Sequence, residues 1–113
     1  MLTHTVFWAS GYLVPKPDGT VVVGSTEEES GFDDRPTVAG IAPLLDFARR
    51  LVPRFGEAAV ERIWAGLRPV TPDGEAFVGA APGVANLLVA TGHHRQGILL
   101  APHAAATVAA SIK

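Results

Sequence analysis

The sequence predicts an α+β fold: an antiparallel sheet with one packed helix, followed by a further strand and helix. Three observations predict it. Two runs of β-branched and aromatic residues flank a Pro-Asp-Gly turn. The apolar period then changes from two to about 3.6 near Thr37. Finally, the apolar run Leu87–Thr91 precedes a polar turn and an alanine-rich stretch.

The first elements form a predicted β-hairpin. A strand is expected over residues 5–15, because Val, Phe, Trp and Tyr are frequent there. Pro17-Asp18-Gly19 supplies turn chemistry and leads into a second strand at residues 20–23. The acidic run Glu27–Glu29 is expected to leave the sheet for solvent. Residues 31–36 are expected to form a loop.

A helix is predicted over residues 37–52. Thr37 suits the N-cap position, and Pro53 ends the helix. Arg49 and Arg50 lie at the end where positive charge favours the helix dipole. The predicted apolar face consists of Ile41, Leu44, Leu45, Ala48, Leu51 and Val52.

The next elements are predicted to be strands. An apolar pattern with interspersed charge indicates a strand over residues 61–70, since the residues before Pro69 favour extended backbone. Residues 71–74, Thr-Pro-Asp-Gly, predict a second turn, and residues 76–79 a short return strand. Residues 87–91 are uninterrupted and apolar, which is typical of an inner strand buried on both faces.

The last element is predicted to be a helix. The polar turn at residues 92–97 leads into a helix over residues 98–112, with Pro102 tolerated only in its first turns. Its many alanines make the helix thin and suited to close packing against a sheet.

Composition excludes several classes of protein. The chain has 113 residues, 48% hydrophobic and 18% charged, which fits one compact domain rather than a disordered segment. A net charge of −2 offers no basic field to nucleic acid or an anionic membrane. There is no cysteine, signal-peptide pattern or membrane-length apolar run. We therefore expect a soluble, cytoplasmic chain that binds neither nucleic acid nor membrane.

Common catalytic and cofactor motifs are absent. No two glycines have the spacing of a G-x-G-x-x-G fingerprint, and no lysine follows a glycine as in a P-loop. His93 and His94 are adjacent, while His4 and His103 lack an i, i+4 partner, so no metal site is expected. The sequence also shows no nucleophile–base pair and no pair of carboxylates spaced for acid–base chemistry.

Three features leave structural and functional interpretations open. Arg68, before Pro69, suits bidentate binding of a carboxylate, or is a rim arginine paired with a nearby acid. Tyr12 either packs in the core or donates a hydrogen bond to a substrate. Residues 92–102, with Arg95 among them, form either a plain connection or a helix N-terminus that binds an electron-rich group.

Four stretches together resemble a known family: residues 11–16, 22–27, 64–74 and 90–102. Their sequences, in order, are GYLVPK, VVGSTE, WAGLRPVTPDG and ATGHHRQGILLAP. They resemble the C-terminal portion of the FAD-dependent glycine oxidases of thiamine biosynthesis, in the D-amino-acid oxidase superfamily. The chain departs from that pattern at His94, usually aromatic, and at Gln96, usually small and polar. These two positions bear on substrate preference.

The resemblance implies roles for individual residues. Arg68 would bind the substrate carboxylate, Tyr12 would hydrogen-bond it, and Arg95 would lie near both substrate and flavin. Glycine or a related small amine would be oxidised to the imine, its α-hydrogen leaving as hydride to FAD, with peroxide formed by dioxygen. Such chemistry requires orientation and an electron sink rather than a strong base. The residues implied to bind the cofactor are Gly92, His93, His94, Arg95, Gln96, Gly97 and Ile98.

The resemblance also implies a division of the chain. Residues 1–86 would belong to the substrate-binding domain, and residues 87–113 would be the C-terminal strand and helix of the FAD-binding domain. The dinucleotide-binding half would be supplied from outside the chain, so the isolated chain would be inactive and would not bind FAD tightly. Sarcosine, proline or D-amino acids are alternative substrates. In another interpretation the chain is a non-catalytic remnant that pairs with a second copy or another chain.

Overall fold

The structure, a computed structural model, describes residues 2–8 and 11–112. The chain divides into two compact units, Met1–Gly66 and Leu67–Lys113. Each unit contains an antiparallel sheet and an α-helix, which confirms the α+β prediction. The division into residues 1–86 and 87–113 concerns the domains of a complete enzyme and stays a prediction. None of the helices within the described ranges is long and apolar enough to cross a membrane.

The sheet of the first unit has three strands. They are β1 (Val6–Trp8), β2 (Gly11–Pro15) and β3 (Val21–Gly24), in that spatial order and antiparallel. The prediction of a single strand over residues 5–15 is therefore wrong, because β1 and β2 pair with each other and Trp8 faces Gly11. The residue pattern could not reveal that the chain reverses direction between β1 and β2, because strand-forming residues lie on both sides of the reversal. Residues 9 and 10 lie outside the described residues.

The turn between β2 and β3 confirms the predicted hairpin. Lys16 N–H donates to the carbonyl of Thr20 at 2.9 Å. The backbone N–H and the hydroxyl of Thr20 donate to Asp18 Oδ1 at 2.9 and 2.7 Å. Gly19 has a φ of +89°, which an L side chain rarely adopts. The hydroxyl of Thr20, followed by its N–H, lowers the pKa of Asp18.

Helix α1 (Val38–Leu51) confirms the prediction for residues 37–52. Thr37 is the N-cap: its Oγ1 accepts from Gly40 N–H at 2.9 Å and donates to a Glu28 carboxylate oxygen at 2.8 Å. The helix ends before a 3₁₀ helix, Pro53–Glu57. Because proline has no N–H to continue the α-helical pattern, Pro53 marks the change.

The core of the first unit lies between α1 and the sheet. Leu13, in the central strand, is fully buried, and Ala48 of α1 is 4% exposed. The Phe47 ring packs on Gly11, where an added Cβ would lie 2.8 Å from Cε1 of that ring. Glycine at this point of β2 therefore lets the helix approach the sheet closely.

The prediction of a strand over residues 61–70 is wrong. Residues 58–70 have no regular secondary structure, and every residue from 61 to 70 is exposed. The apolar side chains of this segment include Trp64, 56% exposed, and Leu67, 49% exposed. A strand needs a neighbour for its backbone N–H and C=O groups, and no described strand pairs with this segment.

The second unit contains a hairpin followed by a helix. Strand β4 (Phe77–Ala80) pairs with β5 (Leu88–Thr91) in antiparallel register, Phe77 facing Thr91. The return strand is thus confirmed with a shift of one residue. The prediction that residues 87–91 form an inner strand buried on both faces is wrong for this chain. Among the described strands β5 has one neighbour, β4, and Ala90 is exposed.

Helix α2 (Gly97–Ser111) confirms the helix predicted over residues 98–112. It follows a 3₁₀ turn, His94–Gln96, and Pro102 lies in its second turn. Ala104, which is 7% exposed, is its buried residue. The helix packs on β4 and β5, so one face of the hairpin is covered.

Candidate functional site

The residues predicted to bind a cofactor form the connection between β5 and α2. Gly92 is buried and has a φ of +78°. His94 has a φ of +48°, a left-handed conformation that is uncommon outside glycine and worth a functional interpretation. Gln96 N–H donates to the carbonyl of His93 at 2.9 Å. The connection is therefore a tight turn with a defined backbone path.

The N-terminus of α2 has no side-chain cap. Gln96 occupies the N-cap position without a side-chain hydrogen bond to the cap, and the first turn contains no acidic residue. The first backbone N–H groups of a helix have no acceptor within the helix and carry a partial positive charge. Because Ile98 and Leu99 are 95% and 78% exposed, the first turn of α2 lies at the surface of this chain.

Arg68 belongs to the same unit as this turn. The carbonyl of Pro69, the next residue, accepts a hydrogen bond from His94 N–H at 3.3 Å. This bond brings the backbone of the Arg68–Pro69 segment beside the turn that carries Arg95. Both arginine side chains are exposed. The structure thus brings Arg68 together with residues 92–98.

Tyr12 lies in the first unit, in β2. Its ring covers Gly24, the facing residue of β3: an added Cβ there would lie 2.5 Å from both Cζ and Oη of Tyr12. On its other side the ring meets Phe7, with ring centroids 5.8 Å apart and a tilt of 54°. An aromatic ring over a facing glycine is a known way to stabilise a strand pair. Tyr12 is half-buried, and its role toward a substrate stays a prediction.

An apolar groove of about 520 Å³ runs along α2. Small side chains form most of its lining, with His93 at the end nearest the turn. The lining residues are Ala90, His93, Gly97, Ala101, Ala104, Ala105, Val108, Ala109 and Ile112. Such a groove suits close packing of another apolar segment against the helix.

Two contributors to this site have no clear signal in the sequence. One is the Pro69 carbonyl, because a backbone acceptor leaves no mark in a residue pattern. The other is Thr71, whose side chain packs against Gly92. The turn predicted at residues 71–74 includes Thr71, but the sequence does not indicate that Thr71 contacts Gly92. Within the described ranges, no group of three or more His, Cys, Asp or Glu side chains is arranged to hold a metal ion.

Comparison with known proteins identifies the family. The family model described as FAD dependent oxidoreductase matches residues 3–111. The chain belongs to this family. It is 45% identical over 107 residues to the bifunctional protein ThiO/ThiG of Synechocystis sp., covering 95% of this chain and 16% of that protein. It is 37% identical over 107 residues to the glycine oxidase of Bacillus subtilis, covering 29% of that protein.

A solved structure agrees with these sequence relationships. The crystal structure of glycine oxidase from Geobacillus kaustophilus matches this chain with a TM-score of 0.81 and 39% identity. The match covers 95% of this chain and 29% of that one. The resemblance to glycine oxidases is thereby confirmed over nearly the whole chain. The chain spans between 16% and 29% of the length of these relatives.

Proposed function

We propose that this chain forms the substrate-side part of an FAD-dependent oxidase that acts on glycine or a related small amine. The observation that carries the proposal is the hydrogen bond from His94 N–H to the Pro69 carbonyl. It holds a segment bearing an exposed guanidinium beside the turn that leads into α2. A carboxylate binder and a site for an electron-rich group therefore lie next to each other, in a family that uses FAD.

The backbone of residues 92–98 follows a tight path into the N-terminus of α2, which favours an electron-rich group. Gly92 is buried at a φ of +78°, and an added Cβ would lie 2.7 Å from Thr71 Cγ2. The chain thus follows a close path that only glycine permits, and it ends at N–H groups that favour negative charge. We assign Gly92, His93, His94, Arg95, Gln96, Gly97 and Ile98 to the flavin side of the site. Bound FAD supplies the electron acceptor for oxidation of the substrate.

The substrate carboxylate is assigned to Arg68. A guanidinium presents two parallel N–H groups to a carboxylate, and a charge-assisted bond of this kind is stronger than a neutral one. Tyr12 is proposed to donate a hydrogen bond to the same carboxylate, and Arg95 to lie near substrate and flavin. These three roles rest on the resemblance to glycine oxidases.

We also propose that the apolar groove on α2 packs against the rest of the oxidase. Its alanine-rich lining and about 520 Å³ of space suit the close approach of another helix or strand. Ile98 and Leu99 in the first turn of α2, 95% and 78% exposed, also have the character of a contact surface rather than a free one. The isolated chain would accordingly be inactive and would bind FAD weakly.

The proposal is tested by placing this chain in a complete oxidase. The chain replaces the matching segment of the Geobacillus kaustophilus glycine oxidase, and this chimera is assayed for peroxide release with glycine. A charged hydrogen bond contributes about 1.5–3 kcal/mol, so Arg68→Ala is expected to raise KM for glycine roughly 10- to 150-fold. Arg68→Lys keeps the positive charge but loses the two parallel N–H groups of the guanidinium. Its KM for glycine should therefore lie between those of Arg68→Ala and the parent.

The control is Arg54→Ala, which removes an exposed arginine from the 3₁₀ helix of the first unit. KM for glycine should then stay at the parent value. An Arg68→Ala chimera with normal KM and full flavin content would contradict the carboxylate assignment. Parallel assays with sarcosine, proline and D-alanine identify the preferred amine.

A further inference from the structure

We propose that Thr71 and Gly92 are positioning residues that fix Arg68 relative to the turn at residues 92–97. The inference rests on the proposed function, because it explains how the carboxylate binder is aligned with the flavin side of the site. Two separate contacts carry it, both within the second unit. One joins the Pro69 carbonyl to His94 N–H, and the other joins the side chain of Thr71 to the backbone at Gly92.

The contact at Gly92 leaves no spare room. A Cβ added to Gly92 would lie 2.7 Å from Thr71 Cγ2, 3.2 Å from the Glu75 carbonyl oxygen and 3.5 Å from Ala76 Cα. Gly92 also has a φ of +78°, so a side chain would be strained as well as crowded. Gly92 follows Thr91, the last residue of β5. The turn formed by residues 71–75 therefore packs against the end of the β4–β5 hairpin, where the turn at residues 92–97 begins.

The residue-71–75 turn is itself stiff. The hydroxyl of Thr71 donates to the Glu75 carbonyl at 2.6 Å, and Gly74 N–H donates to the Thr71 carbonyl at 3.0 Å. Glu75 N–H donates to Asp73 Oδ1 at 3.1 Å, and this bond, followed by the Thr71 side chain, lowers the pKa of Asp73. Three hydrogen bonds thus fix five residues, so the turn moves as one piece.

This rigidity is transmitted to Arg68 over a short distance. Only Val70 separates Pro69 from Thr71, and the proline ring restricts φ at Pro69 to about −65°. Arg68 therefore immediately precedes Pro69, whose carbonyl accepts the hydrogen bond from His94 N–H. Thr71, which contacts Gly92, follows Pro69 by two positions. If the turn moved off Gly92, the segment would lose one of the two contacts that join it to residues 92–94. The alignment of Arg68 with residues 92–97 therefore depends on Thr71.

The first test measures hydrogen exchange at the His94 amide in the 113-residue chain by NMR. Thr71→Val keeps a methyl group at the contact with Gly92 and loses the hydroxyl, whereas Thr71→Ser keeps the hydroxyl and loses the methyl group that contacts Gly92. A neutral hydrogen bond contributes about 1 kcal/mol, so Thr71→Val should speed His94 exchange about fivefold relative to the amides of β5. Gly92→Ala should speed it at least as much, and Thr71→Ser should speed it as well, because serine lacks the methyl group that contacts Gly92.

Referring the rate to β5 removes any general loss of stability, because global unfolding exposes all these amides together. The matched control is Thr20→Val, which removes a threonine hydroxyl from the other Asp-Gly turn, where it donates to Asp18 at 2.7 Å. It should leave the ratio of His94 exchange to β5 exchange unchanged. An unchanged ratio in Thr71→Val would overturn the positioning role, even if Gly92→Ala fails to fold.

The second test separates KM from kcat in the chimera with the Geobacillus kaustophilus oxidase. Thr71→Val should raise KM for glycine about threefold to tenfold, with flavin content and absorbance unchanged. Thr71→Ser, which loses the methyl contact with Gly92, should raise KM as well. If Arg68→Ala leaves KM unchanged, the proposed function fails. If Arg68→Ala raises KM but Thr71→Val leaves it at the parent value, the positioning inference alone fails.

Discussion

Gly24→Ala is expected to destabilise the first unit by displacing the Tyr12 ring. In β3, Gly24 faces Tyr12, and a Cβ there would lie 2.5 Å from Tyr12 Cζ and Oη and 2.8 Å from Cε2. Ordinary contacts of a Cβ are 3.4 to 4 Å. The ring would therefore have to retreat by about 1 Å, which would also disturb its contact with Phe7 at 5.8 Å.

The size of the effect follows from two opposing terms. Overpacking of this kind costs about 1–3 kcal/mol, and the reduced freedom of the unfolded chain offsets about 0.4–1 kcal/mol of it. A net loss of about 1–2 kcal/mol compares with roughly 3–10 kcal/mol of total stability for a unit of this size. At about 4–8 °C per kcal/mol, Tm should fall by roughly 5–15 °C.

The assay is thermal denaturation followed by circular dichroism, in a double-mutant cycle with Tyr12→Ala. Without the ring the new Cβ meets no obstacle, so Gly24→Ala should have little effect in the Tyr12→Ala background. Gly56→Ala is the matched control, because its nearest neighbour would be Arg49 Cδ at 3.5 Å, an ordinary contact. An equal loss of Tm in both Tyr12 backgrounds would refute the reasoning.

Three further predictions concern stability. Leu13→Ala removes the fully buried side chain of the first unit and should lower the free energy of unfolding by about 3 kcal/mol in urea titration; a loss below about 1 kcal/mol would contradict the assigned core. Thr37→Ala removes the cap of α1 and should cost about 1 kcal/mol, whereas Thr37→Ser should restore it; equal Tm values for the two variants would argue against capping. Folding lowers the pKa of Asp73, so its carboxylate stabilises the folded chain above the unfolded pKa and loses that effect as pH falls below about 4. Asp73→Asn should therefore lower Tm at pH 7 and converge with the parent near pH 2, and a constant difference across that range would count against it.

The elements that the sequence predicted correctly are those with local causes. The Asp18-Gly19 turn, the Thr37 cap and the start of α2 each depend on residues within a few positions of one another. Element type and approximate bounds were therefore accessible from pattern and turn chemistry.

The elements that failed depend on partners distant in the chain. Residues 61–70 have the composition of a strand, and β5 has the composition of an inner strand. A strand is formed only when another strand hydrogen-bonds to its backbone, and the local residue pattern does not show whether that partner is present. The reversal between β1 and β2 was missed because its flanks are equally strand-forming. Within the site, Arg68 and residues 92–102 were candidates from residue type and position, and the resemblance gave them specific roles. The hydrogen bond of Pro69 to His94 and the packing of Thr71 on Gly92 are tertiary contacts that only the structure reveals.

The central claim, that this chain supplies the substrate side of a flavin-dependent amine oxidase, is tested most directly by anaerobic reduction of the flavin. The chain is placed in the Geobacillus kaustophilus glycine oxidase in exchange for the matching segment, the chimera is loaded with FAD, and glycine is added without dioxygen. Glycine is expected to bleach the absorbance of the oxidised flavin, and this absorbance should return with peroxide release when air is admitted. A folded chimera that retains FAD but is not reduced by glycine, sarcosine, proline or D-alanine would contradict the account.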